Sequence, residues 1–155
     1  MPDPRRVLCL ALLVAACRSP APPADGPWLP VAAPTTASLR GLAVVDARVV
    51  WIGGTDGTLL RTTDGGANWR DVAPPDAAGC DFRDLHAASA HVALAMVAGQ
   101  PARRYRTEDG GNTWSVVHAD PRPAAFFDAI AFAGDDGVLV GDPIDGAFDV
   151  WLTRD

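Results

Sequence analysis

The chain has 155 residues, 48% of them hydrophobic and 21% charged, a balance that excludes a disordered protein. All 13 basic residues are arginine, every acidic residue except Glu108 is aspartate, and 15 glycines and 14 prolines punctuate the chain. That composition favours turns and excludes a helical bundle, and a net charge of −6 argues against a nucleic-acid partner.

Residues 1–17 read as an export signal. Arg5 and Arg6 precede an unbroken apolar run, Val7 to Ala16. The run is too short for a bilayer span, which needs about 20 apolar residues, but it suits the core of a signal peptide. Val14-Ala15-Ala16-Cys17 resembles the lipobox of bacterial lipoproteins. The resemblance implies lipidation of Cys17, which becomes the mature N-terminus. The expected location is a bacterial membrane, facing the periplasm or the cell surface, with the lipid as the sole membrane contact. Cleavage there also removes Cys9 and leaves Cys80 as the remaining thiol, without a disulfide partner.

Residues 18–36 hold six prolines in 19 positions and are expected to form an extended, semi-rigid tether. Within it, Trp28 either docks on the following domain or opens its first unit.

From residue 37 the chain repeats itself. Thr62-Thr63-Asp64-Gly65-Gly66-Ala67-Asn68-Trp69 returns as Thr107-Glu108-Asp109-Gly110-Gly111-Asn112-Thr113-Trp114. A third copy begins at Thr153-Arg154-Asp155. Upstream, Leu39-Arg40-Gly41-Leu42 aligns with Phe82-Arg83-Asp84-Leu85 and with Phe126-Phe127-Asp128-Ala129. Each is followed by further apolar runs: Val49–Ile52 and Thr58–Thr62, then Val92–Ala95 and Arg103–Thr107, then Val138–Val140 and Phe148–Thr153. Asn68–Val72 and Thr113–Val117 supply a fourth strand. Asp142-Pro143-Ile144-Asp145-Gly146 is expected to be a hairpin turn, like Thr55-Asp56-Gly57. Four strands per unit with Asp-Gly turns at regular spacing predict an all-β propeller, with about two and a half blades over 37–75, 81–120 and 125–155. The third blade stops inside its box, so the chain is expected to be a fragment, with an uncovered apolar blade face and an unpaired edge.

The repeated Thr-x-Asp-x-Gly-x-x-Trp resembles the Asp-box of bacterial neuraminidase repeats. The compact blades and the Asp-Gly-Gly form are most similar to propellers of the photosystem II assembly-factor type. The resemblance implies a non-catalytic binding or assembly-scaffold protein with a protein or peptide partner. Sialidases share the box, so a neuraminidase-like or other glycoside hydrolase is the alternative. That chemistry needs an arginine triad and a tyrosine–glutamate pair. The chain offers one tyrosine, Tyr105, in a third strand, and one glutamate, Glu108, inside a box.

Thr62, Asp64, Gly66 and Trp69, with Thr107, Asp109, Gly111 and Trp114, are expected to be architecture, and Thr153 and Asp155 to begin the same turn. Glycine permits the turn, aspartate accepts its N–H groups, and tryptophan packs back over it. The candidate ligand residues are Arg40 and Arg83, with Asp84 and Asp128 one step later, at the starts of the innermost strands. An arginine pair there could hold a carboxylate or a peptide C-terminus. The opposing reading pairs these arginines with aspartates to fix blade register. Arg103, Arg104 and Arg106 read as a solvated outer surface, with Arg104 and Arg106 on one face and Arg103 on the other. His86, His91 and His118 lack metal-ligand spacing, so no metal or other cofactor is expected.

Overall fold

The computed structural model describes residues 28–154. Cys17 and Asp155 lie outside the described residues, as does the whole signal segment. Two compact units divide the chain, Met1–Pro30 and Val31–Asp155. The first is described only at Trp28–Pro30, which form no regular element. The second carries every described strand.

Its strands form three antiparallel sheets. The first blade is β1 (Leu39–Val44), β2 (Val50–Gly54), β3 (Leu59–Thr62) and β4 (Arg70–Asp71), hydrogen-bonded in that order. The second repeats the pattern with β5 (Phe82–Ala87), β6 (Ala93–Val97), β7 (Arg103–Thr107) and β8 (Ser115–Ala119). The third contains β9 (Phe127–Ala133), β10 (Asp136–Ile144) and β11 (Ala147–Thr153). Strands pair with their neighbours in sequence because the connecting turns are short. Asp56-Gly57 and Asp145-Gly146 turn with positive φ at both residues (57° and 71°, 53° and 79°), the left-handed pair that matches strand twist in a hairpin.

The inner strands β1, β5 and β9 lie side by side. Gly41 makes this possible between the first two blades, since a Cβ there would stand 3.0 Å from the Asp84 Cα. Between those blades Trp51, Leu59, Phe82 and Tyr105 form a dry core, and Met96, Ala102, Phe127 and Leu139 form a second core between the next two. Apolar area removed from water between sheets holds the blades together.

Two outward faces stay open among the described residues. Leu42 and Val44 are exposed on β1. On the third blade, the pairs Val138–Leu152 and Val140–Val150 bring four exposed apolar side chains onto one face. The tether expected over 18–36 ends earlier than its proline content implies: Val31 belongs to the blade-bearing unit and lies against Gly66 of the first box.

Candidate functional site

Every inner strand carries a β-bulge at its start, and the candidate residues sit on it. Leu39 faces Gly54 and Gly41 faces Gly53, so Arg40 is the extra residue. Phe82 faces Val97 and Asp84 faces Met96, leaving Arg83 extra. Phe127 faces Gly141 and Ala129 faces Val140, leaving Asp128 extra. The register therefore corrects the sequence alignment. Phe127 is the counterpart of buried Phe82, and Asp128, rather than Phe127, takes the arginine position in the third blade. A bulge bends the strand and re-aims its side chain, here at equivalent places in three blades.

These bulge residues link neighbouring blades. Arg40 pairs with Asp81 at 2.9 Å, and Arg83 with Asp128 at 3.3 Å. The Arg83 guanidinium also lies 5.4 Å from the Phe126 ring centre. Asp84 is committed to the backbone: its carboxylate accepts the Leu85 N–H at 2.9 Å and the Ile130 N–H of β9 at 2.9 Å. The pairs Arg40–Asp81 and Arg83–Asp128 stay about one-third exposed (37% and 30%, 34% and 34%), so water still reaches both guanidinium groups. Such half-open pairs contribute little to stability and can exchange partners with a ligand carboxylate.

The boxes are built alike. In the first, the Thr62 hydroxyl donates to the Asp64 carboxylate (2.8 Å) and accepts the Gly66 N–H (3.0 Å). The side-chain amide of Asn68 (2.8 Å) and its backbone N–H (2.9 Å) complete the Asp64 shell. In the second, Asp109 accepts from the Thr113 N–H (2.9 Å) and hydroxyl (2.7 Å), and Thr107 accepts the Gly111 N–H (2.9 Å). Donors aimed at the charged form hold Asp64 at a pKa of about 2, through Asn68 first, and Asp109 at about 2, through Thr113 first.

The box tryptophans depart from the expected packing. Trp114 reaches into the preceding blade, where its indole N–H donates to the Val72 carbonyl at 2.7 Å and its ring meets Trp51 edge-on at 6.3 Å. Arg61 reaches the other way, donating to the Ala90 carbonyl of the second blade at 2.6 Å. Trp69 keeps closer to its own turn, over Gly66, and its indole nitrogen is buried with no partner among the described residues.

The arginine cluster is likewise not an outer surface. Arg104 lies between blades, 5.7 Å from the Phe127 ring centre and 5.6 Å from that of Trp151, and burial lowers its pKa. Arg103 points to the opposite face, against the Tyr105 hydroxyl (3.1 Å) and Asp76 (3.4 Å). The Tyr105 hydroxyl donates to Asp76 at 3.1 Å, while Glu108 pairs with Arg106, so the one tyrosine and the one glutamate serve different partners. Sequence reasoning missed an ion cluster in which Arg122 binds both Asp120 (2.5 Å) and Asp149 (2.8 Å). Arg122 holds the Asp120 pKa down at about 2. Asp149 is 27 positions away in the next blade, and no local pattern signals the contact.

Comparison with known families settles what these blades are. The family described as photosynthesis system II assembly factor YCF48 matches residues 21–124. The chain belongs to this family. A solved structure of YCF48 bound to D1 peptide is 25% identical and superposes with a TM-score of 0.66, covering 88% of this chain and 43% of that one. YCF48 from Cyanidioschyzon merolae, 24% identical with a TM-score of 0.60, shares the fold over 80% of this chain and 39% of its own. The chain thus spans about two fifths of the length of these YCF48 structures. No curated protein matches it.

Proposed function

We propose that the protein is an exported, lipid-anchored propeller module that binds a peptide segment of a partner protein and acts as a scaffold in its assembly, without catalysis. The carrying observation is membership of the YCF48 family, one of whose solved members holds a D1 peptide. The bulge row supplies the chemistry. Arg83 makes a single hydrogen bond to Asp128, leaving further guanidinium donors for a carboxylate, and Phe126 beneath it offers an apolar wall. Arg40 repeats the arrangement one blade away.

The anchor rests on Val14-Ala15-Ala16-Cys17 and the apolar run before it. It would hold the module at the membrane, facing the periplasm or the cell surface.

Fluorescence anisotropy with a labelled D1 peptide tests the binding reading, using the free carboxylate and the C-terminal amide. Arg83→Ala is expected to weaken the free-acid peptide about tenfold, or ~1.4 kcal/mol, with a smaller effect on the amide. Unchanged affinity in both Arg83→Ala and Arg40→Ala would remove these residues from the site. For the anchor, labelled fatty acid is expected in the wild-type chain and not in Cys17→Ser; label retained by that variant would refute lipidation.

A further inference from the structure

An open cavity of about 640 Å³ separates the second and third blades, walled by Leu94, Arg106 and Val117 on one side and by Phe132 and Asp135 on the other. The repeat gives its meaning. At the preceding junction the corresponding wall is Trp51, Arg61 and Val72, and it is filled by a box hairpin. There Trp114 donates to the Val72 carbonyl and packs on Trp51, and the backbone at Gly111 lies so close that a Cβ would stand 2.6 Å from the Val72 Cβ. Strand pairing makes the correspondence specific. Trp51 faces Arg61 across β2–β3, and Leu94 faces Arg106 across β6–β7. Val72 and Val117 each stand three residues after a box tryptophan.

The far wall corresponds too. Arg61 donates to the turn between β5 and β6, at Ala90, and the cavity's far wall includes Asp135 in the turn between β9 and β10. Thr153 is the counterpart of the box residues Thr62 and Thr107, and it lines the same cavity. Leu94 stands where the first blade has the larger Trp51, so the seat is roomier than the one Trp114 fills.

We infer that the cavity between the second and third blades is a receptor for an Asp-box hairpin of the form Thr-x-Asp-Gly-Gly-x-x-Trp, whose indole N–H is taken by the Val117 carbonyl. The indole fills the space above Leu94, and the hairpin's glycines allow its backbone to close on Val117. The ligand class is therefore an indole-bearing β-turn, a more specific occupant than an apolar peptide. This inference is independent of the peptide site on the bulge row.

The test extends the full chain after Asp155 with a copy of its own residues 110–119, Gly-Gly-Asn-Thr-Trp-Ser-Val-Val-His-Ala, which completes the box begun at Thr153. A second version carries alanine in place of the added tryptophan. The tryptophan version is expected to melt several degrees above the alanine version. Leu94→Trp, which fills the seat from within, is expected to abolish that difference, and circular dichroism of the variant checks that it stays folded. Equal melting of the two extensions on the wild-type background would overturn the inference. A difference that persists undiminished in Leu94→Trp would overturn it as well, because the indole would then be bound elsewhere.

Discussion

Replacing the box tryptophans by phenylalanine should separate two residues that the sequence presents as equivalent. In Trp114→Phe the ring is kept in part, but the N–H that meets the Val72 carbonyl at 2.7 Å is lost. Val72 is 3% exposed, so water cannot readily replace the donor. An acceptor left unpaired in a dry site costs about 1–3 kcal/mol. Loss of part of the edge-on contact with Trp51 adds roughly 0.5–1 kcal/mol. The expected total is about 2–3 kcal/mol. In Trp69→Phe no hydrogen bond is broken, because the Trp69 indole nitrogen is buried without a partner. Removing an unpaired buried donor offsets the lost ring area, and the variant should lie within about 1 kcal/mol of wild type. Urea unfolding followed by far-ultraviolet circular dichroism, with linear extrapolation, measures both. If Trp69→Phe loses as much as Trp114→Phe, the indole hydrogen bond to the preceding blade is not what distinguishes them.

Two further outcomes follow from the boxes. Asp64 and Asp109 are held near a pKa of about 2, below the ~3.9 of an unfolded aspartate, so their contribution is present above pH ~4 and is lost as the pH falls towards 2. Urea midpoints measured between pH 5 and pH 2 should drop most steeply in that window, and Asp64→Asn with Asp109→Asn should flatten the drop; an unchanged profile would refute the assignment. Gly111→Ala combines φ +79° with a Cβ 2.6 Å from Val72, and should cost at least about 2 kcal/mol. Gly134→Ala, at φ +64° with nothing within 4 Å, should cost only the backbone part, about 1–2 kcal/mol, and equal losses would show that the close approach is unimportant.

The repeat was readable because its cues are local. A box needs threonine, aspartate, glycine and tryptophan within eight positions, and hairpins keep neighbouring strands adjacent, so blade order followed from periodicity. What failed was what depends on offsets or on distant chain. The bulge inserts a residue at Arg40, Arg83 and Asp128 without a compositional mark, and matching consecutive apolar residues therefore slipped the third blade by one. Alternation correctly separated Arg104 from Arg103, but polarity alone assigned Arg104 to solvent. Its actual neighbours, Phe127 and Trp151, come from the next blade. The Asp120–Arg122–Asp149 cluster has the same origin, since its aspartates are 29 positions apart and only the packing of β11 brings them together.

The reach of Trp114 into the preceding blade gives the array a direction. A ribosome releases the chain from its N-terminus, so Trp51 and Val72 emerge before the indole that will rest on them. Each new box meets a surface that already exists, and no later blade is needed to receive it. An array built this way can lengthen by duplicating its last unit, because the junction surface is copied along with the hairpin that fits it. Deleting an early blade is different in kind: it leaves the next tryptophan with no carbonyl to meet, as the unpaired nitrogen of Trp69 illustrates within this chain.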